Sequence, residues 1–401
     1  MKTKAIIADL RQQSEIPGFT PTRAAGLARV VQFAERTGDL YNRCRNYDLG
    51  PNHRANVSAL SPWIRHRLIT ETEVLNATLN THSFSTAERF VHEVFWRTYF
   101  KGWLEHHPTV WPDYQAGLLR QLKSVDKDRH LAGKYAAAIA GETSIDGFDD
   151  WAKELVTTGY LHNHARMWFA SIWIFTLRLP WELGADFFLR HLMDGDPASN
   201  TLAWRWVAGI QTKGRPYVAR VSNISKFTDR RFAPLHQLQT QVQPLSETVD
   251  HLRRPLPEAM TPAEITRDYL LLVTEDDMQV AQTLSHPPTA KVGALATTGR
   301  SPLPLGTIAQ TFAADAMRDV CSEMQIIEDE DWAEGIIAAC QTHNLKTVVT
   351  GYAPIGPVAT TLAAVEPILR KEGIKLLQVR RAFDTVAWPH ATKGFFAMKK
   401  G

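Results

Sequence analysis

Between residues 20 and about 250 the apolar positions return every three to four residues, the period of an amphipathic helix. In PTRAAGLARVVQFAER, the residues Ala25, Leu27, Val30, Val31 and Phe33 fall near one stripe, with Pro21 at the expected helix start. SPWIRHRLITETEVLNATL keeps the same period. So does STAERFVHEVFWRTYFKGWLEHH, where Ser85 and Glu88 have the spacing of a capping box. LHNHARMWFASIWIFTLRL has almost no polar face after Arg166, which predicts a buried helix. No strand-like alternation of useful length occurs here.

The texture changes after residues 251–266, HLRRPLPEAMTPAEIT, whose three prolines predict a connection. YLLLVTEDD, KVGALATT, KTVVTGY and KLLQVRRAF read as buried strands. FAADAMRDVCSEM, DWAEGIIAACQTHN and GPVATTLAAVEPILRKEG read as helices between them. The alternation predicts a small parallel, Rossmann-like α/β domain behind a mainly α domain. The expected division is a lead at 1–20, a helical domain at 21–250, the linker at 251–266 and the α/β domain at 267–401. Glu328, Asp329, Glu330, Asp331 and Glu334 open a predicted helix, where carboxylates suit the helix dipole.

Composition narrows the class. With 44% hydrophobic and 22% charged residues the chain is not disordered. Three cysteines exclude a disulfide scaffold and fall short of the four thiolates of an all-cysteine iron–sulfur cluster. The longest apolar run, Met167 to Phe175, is broken by Ser171 and is too short to span a membrane. The start, MKTKAIIADLRQQ, has no secretory features. A soluble cytoplasmic protein is expected. His106–His107 and His162–His164 lack cysteine or carboxylate partners at a zinc spacing, so no metal is expected. Ten of the 12 tryptophans lie between positions 63 and 206, and core packing accounts for most of them.

Candidate chemistry concentrates in residues 159–209. Asp194 and Asp196 flank the permissive Gly195 in DGDPASN. The spacing does not suit an EF-hand, while a helix cap stays open. Arg166, on a helix predicted to be buried, needs an anion, and Asp194 fits. Residues 205–231 hold Arg205, Lys213, Arg215, Arg220, Lys226, Arg230 and Arg231 against Asp229 alone, with Trp206, Tyr217 and Phe227 interleaved. Such a face suits phosphate contact and base stacking. The net charge is only +3, so this basicity is local.

HNHARM, Trp181 in PW, DGDPASN and WRW occur in order, preceded by LYNRCRNYD, VSALSP and EVFWR. Over residues 22–232 this set resembles the FAD-binding domain of the photolyase/cryptochrome family. The resemblance implies noncovalent FAD, damaged DNA as partner, and light-driven splitting of cyclobutane pyrimidine dimers. It places Tyr41, Val57, Ser58, Ala59, Leu60, Ser61, Arg97, Asn163, Arg166, Asp194, Gly195 and Asp196 around the flavin, with Asn200 facing flavin N5. It places Glu93, Trp96, Asn163, Met167 and Trp206 around a flipped-out dimer, with Arg45, His164 and Arg220 on the DNA side. Trp204 and Trp181 match two members of the family's electron relay. Trp111 and Trp151 fit the third poorly, and Trp168 and Trp173 offer a different exit.

Two departures stand out. His164 stands where close dimer-repair relatives often have Arg. Only about 20 residues precede the first matching helix, too few for the family's N-terminal antenna domain, and the α/β segment follows instead. Whether a second chromophore is bound is left open, as is oligomeric state. A blue-light receptor without repair activity is the rival reading. TGYAPIGPVATT has a glycine turn of the kind that can hold phosphate, with packing the favoured role. FDTVAWPHATKGFF is expected to dock back onto the helical domain.

Overall fold

The computed structural model describes residues 3–13, 15–16, 18–321, 325–327 and 332–398. Thirteen α-helices come first among them: α1 Thr3–Gln12, α2 Arg23–Ala34, α3 Asp39–Cys44, α4 Ser61–Arg65, α5 Glu71–Thr81, α6 Phe84–His106 and α7 Val110–Lys127. These are followed by α8 Arg129–Ala140, α9 Phe148–Thr158, α10 Asn163–Ser171, α11 Trp181–His191, α12 Pro197–Ala208 and α13 Val221–Phe227. The later part holds β1 Leu270–Thr274, β2 Ala290–Ala294, α14 Thr307–Val320, β3 Ile326–Ile327, α15 Trp332–Thr342, β4 Thr347–Gly351, α16 Pro357–Lys371 and β5 Lys375–Val379. Two short helices, α17 Ala382–Ala387 and α18 Phe395–Met398, follow. The fold is a mainly α region followed by a small parallel α/β layer. No described helix is long and apolar enough to cross a membrane.

The sheet runs β3-β2-β1-β4-β5, all parallel. β1 is its centre, pairing Leu270 with Ala290 on one side and Val348 on the other. Every residue of β1 is buried, which is why it reads as an unbroken apolar run rather than an alternation.

Several local expectations are corrected. The lead contains α1, whose Ile7 and Leu10 bury against Cys44, Leu49 and Ala55. The helix expected through 61–79 breaks after Arg65. The chain turns through Arg67, which has a left-handed φ of 48°, and restarts on a Thr70–Glu73 capping box. α6 is capped by Ser83, which accepts from the Thr86 amide, not by Ser85. The chain is still extended at Ser83, so the helix begins two residues earlier than the box predicts. Pro21 lies just before the actual cap, Thr22. α10 runs into a wide π turn at Ile172–Thr176. Residues 228–250 carry no helix. They run along the helical region as turns and irregular chain, fixed by the Leu245 amide on the Ala208 carbonyl and by Glu247 on Arg205. Residues 328–331 of the acidic cluster lie outside the described residues; Glu334 stands in the first turn of α15.

The two parts share one core. Val30, Phe33, Leu68, Ile69 and Phe90 pack in the same apolar cluster as Tyr269, Leu271, Val273, Phe312 and Val349. Gly102, in mid-α6, lets Trp388 and Ala391 lie against the helix; a Cβ there would come within 2.9 Å of both.

Open parallel sheets take ligands outside the carboxyl ends of their strands, where the strand order reverses. Here that place, between β1 and β4, is filled by Arg65, His66 and Arg67. Arg65 donates to Asp276 at 2.6 Å and Arg67 to Asp384 at 2.6 Å, while Arg381 grips Asp277 at 2.5 and 2.7 Å. The Gly351–Gly356 turn is taken too. Glu105 of α6 accepts from the Ile355 amide at 2.7 Å and from the Tyr352 hydroxyl at 2.6 Å. The turn therefore packs, as expected.

Candidate cofactor and base site

A cavity of about 810 Å³ opens among α3, the 57–61 segment, α6, α10, α12 and the C-terminal residues 393–396. On one side Arg29, itself buried, donates from Nε to the Ser58 carbonyl at 2.8 Å and from Nη2 to the Val57 carbonyl at 2.9 Å. A trans peptide points its N–H opposite its C=O, so the Ser58 and Ala59 amides face away from Arg29. Ala59 holds a left-handed φ of 52°, and α4 starts directly afterwards at Ser61–Pro62. The result is a turn with free amides feeding a helix start, which is hospitable to anions.

Arg97 reaches the same place from α6. Its Nη2 lies 3.5 Å from the Ser61 carbonyl, and its buried Nη1 has no hydrogen-bond partner. Nη1 also lies 3.7 Å from Asp196, so the guanidinium is ion-paired yet keeps a donor free of hydrogen bonds on the cavity wall, which fits an anionic group such as a diphosphate.

Arg166 and Asp194 form a bidentate pair at 3.1 and 2.9 Å, and Arg166 Nε also donates to the Leu161 carbonyl at 2.8 Å. Burial pushes the Asp194 carboxyl up, but Arg166, together with the Ser61 side chain and Arg97, outweighs it and holds it below its ordinary range. Asp196 is pushed up by burial and pulled down further by Lys101, Arg97 and Arg65, so it is ionised. It caps α12 by accepting from the Ser199 amide at 2.7 Å. The cap reading therefore holds for Asp196.

Tyr41, Val57, Ser58, Ala59, Leu60, Ser61, Arg97, Asn163, Arg166 and Asp194 line the cavity. Gly195, Asp196 and Asn200 stand behind the wall. The Gly195 carbonyl accepts from Arg65 at 2.9 Å, and the Asn200 amide donates to the Ala185 carbonyl at 2.8 Å.

The other side of the cavity is aromatic. Glu93, Trp96, Asn163, His164, Met167 and Trp206 meet there, and Arg45 pairs with Glu93. Trp206 sits at the rim, 37% exposed and stacked on Tyr217 at 5.5 Å. His162 is kept neutral: burial lowers it to about 3. Its Nδ1 accepts from the His164 amide at 3.1 Å, leaving Nε2–H to donate to the Arg45 carbonyl at 3.1 Å. The 383–396 segment docks on α6 as expected. The sequence did not show that it completes the cavity wall, with Phe395 stacked on Trp96 at 4.0 Å and 12°.

The basic face is smaller than expected. Lys213, Arg215, Arg220, Lys226 and Arg230 are exposed. Arg205 is buried on Glu247 at 2.6 and 2.7 Å, and Arg231 lies over Phe232 near Asp48. Among the tryptophans, Trp204 meets Trp173 at 6.2 Å, while Trp181 packs on Tyr114 at 5.6 Å. His106 and His107 spend ring nitrogens on backbone carbonyls. Among the described residues one group, Asp113, Glu247 and His251, has the closeness of metal ligands; Arg205 already neutralises its Glu247.

Arg29, Lys101 and Tyr160 belong to the site and were not singled out from sequence. Lys101 sits one helical turn after Arg97, a signal that was readable. Tyr160, between Arg54 and Arg166 at 5.5 and 5.6 Å, directly precedes the LHNHARM block.

A cation-lined turn beside an aromatic chamber suits a long, anionic, flat-ringed ligand. Residues 90–258 match the profile of the FAD binding domain of DNA photolyase. The chain is 25% identical to a deoxyribodipyrimidine photo-lyase of Synechococcus over 59% of its own length and 46% of the relative's. It is 32% identical to one of Streptomyces griseus, covering 48% and 42%. It thus spans less than half the length of these curated relatives. A solved class III photolyase of Agrobacterium tumefaciens superposes on 52% of this chain and 43% of its own, with a TM-score of 0.43 at 26% identity. Within the helical region the chain is thus similar to the FAD-binding domain of photolyases.

Proposed function

We propose that the chain is a FAD-dependent, light-driven lyase that splits cyclobutane pyrimidine dimers in damaged DNA in the cytoplasm. The supporting observation is that Glu93, Trp96, Asn163, Met167 and Trp206 share one cavity with the cationic turn at 57–61 and Arg97. In this reading residues 21–250 and 267–401 are two domains joined by 251–266, despite their common core. Bound reduced FAD supplies the electron that opens the dimer under illumination. Arg97 and the Ser58–Ser61 amides hold the diphosphate, and the Arg166–Asp194 pair supports the ring end. Asn163 donates to a base carbonyl, and Glu93, held by Arg45, accepts from a base N–H. Trp96, Trp206 and Met167 wall the bases and exclude water.

Chemically reduced, illuminated protein should restore dimer-containing oligonucleotides. Glu93→Ala should lower the repair yield more than it lowers FAD content. No repair, together with no preference for dimer-containing over undamaged DNA, sinks the reading. One observation favours the receptor reading instead, the Phe395 ring on Trp96. A receptor would bind FAD and respond to blue light while repairing nothing.

A further inference from the structure

Trp96 is the wall on which the proposed reading stacks a flipped base, and the chain already stacks a ring there. Phe395 lies almost parallel to Trp96, with centroids 4.0 Å apart and planes at 12°. That is the attitude a base would take. The edges of His92 and Tyr99 close on the same ring at 5.7 and 5.8 Å.

The ring itself is 5% exposed and packs with Tyr99, Ala387, Ala391 and Met398, while the residues around it are exposed. Tyr99 donates its hydroxyl to the Lys393 carbonyl at 2.8 Å. Lys393, Gly394 and Phe396 are exposed, and nothing comes within 4 Å of a Cβ placed on Gly394. The anchor before it is firm: Trp388 is wholly buried, and its carbonyl meets His106 at 3.2 Å. A ring that leaves Trp96 must give up its packing and turn about residues 392–394 while Trp388 stays in place.

We propose that Phe395 is a built-in competitor for the base seat on Trp96, and that it sets the threshold a base must pass to enter. The proposal rests on the repair reading above. A phenyl ring offers stacking and no hydrogen bonds, so a ligand that stacks and also reaches Glu93 and Asn163 can displace it. Undamaged duplex held only by the exposed basic face does not engage the seat and is indifferent to Phe395. Damaged bases, which leave the stack at lower cost, are the ones that meet the competitor.

The experiment compares wild type, Phe395→Ala, Phe395→Tyr and Tyr99→Phe for binding to dimer-containing and undamaged oligonucleotides, with FAD absorbance confirming an intact cradle. Phe395→Ala should tighten binding to the dimer by about two- to tenfold, the range of one lost aromatic pair, and leave undamaged DNA unchanged. Phe395→Tyr should behave as wild type and Tyr99→Phe should fall between. If Phe395→Ala binds the dimer no better than wild type, or more weakly, the ring is a passive wall and the proposal fails while the repair reading stands. If neither wild type nor Phe395→Ala prefers dimer-containing DNA, the repair reading itself falls.

Discussion

Two groups of arginines and carboxylates meet at opposite ends of α4, and they differ in what they leave open. At its carboxyl end, Arg65, Arg67, Arg300 and Arg381 are matched by Glu71, Glu275, Asp276, Asp277 and Asp384, almost all fully buried. At its amino end, Arg97, ion-paired to Asp196 at 3.7 Å, and Arg166, 23% exposed beside Asp194, stand on a cavity wall. The residue types are the same. The closed group fastens the sheet to the helices; the open group leaves room for a ligand. A strand-end crevice can thus be spent entirely on assembly, and a binding site is recognised by the open space its charges face rather than by their number.

The largest test of this contrast is Asp276→Ala. It leaves Arg65, 1% exposed, without its closest partner, and should cost roughly 3–5 kcal/mol in urea unfolding. Asp194→Ala strands an arginine that still reaches water and the Leu161 carbonyl, so it should cost less stability, about 1–3 kcal/mol, while releasing FAD. Equal stability losses would erase the distinction between closed and open groups. Next, Arg97→Met should weaken FAD roughly 10- to 100-fold with little change in the melting of the FAD-free protein. A melt that falls as far as affinity does would mean that Arg97 is structural.

Acid should reach the fold through buried His162 and half-buried His191. Burial lowers His162, beside the cavity, to about 3, and burial followed by Arg190 lowers His191, at the seam with α14, to about 4. The unfolded chain binds more protons than the folded one between those values and about pH 6.5. Stability is therefore full above about pH 6.5 and falls as pH drops, by at most about 1.4 kcal/mol per pH unit for each histidine. His162→Gln should flatten this slope in thermal melts between pH 7 and 5. An unchanged slope would place the acid sensitivity at the seam. The smallest effect is expected of Tyr352→Phe, which removes one donor from Glu105 at 2.6 Å and should cost about 1 kcal/mol without altering FAD content.

The strands were legible because β1 and β4 are short apolar runs between turn signals. β3 was not, since two residues carry no period. The break after Arg65 escaped because IRHRLI still matches a helical stripe, and only the contacts with Asp276 and Asp384 make the turn worthwhile. The site was legible as motifs, since HNHARM, DGDPASN and VSALSP each cluster in sequence. What sequence could not give was which side of the wall a residue occupies. Asp194 and Asp196 are two positions apart, yet one faces the cavity and the other caps α12. Arg205 likewise reads as part of the basic face until Glu247, 42 positions on, claims it.

The bond between Arg65 and Asp276 spans 211 positions of chain. During synthesis the segment from Ser58 to Gly195 leaves the ribosome well before Asp276 exists, so Arg65, which holds the Gly195 carbonyl, must wait as a cation without its partner. The loop bearing Asp194 gains its full set of supporting contacts only when the first strand of the sheet has arrived. Cofactor capture is therefore expected late, after most of the polypeptide is made, as a consequence of long-range closure rather than of local helix formation.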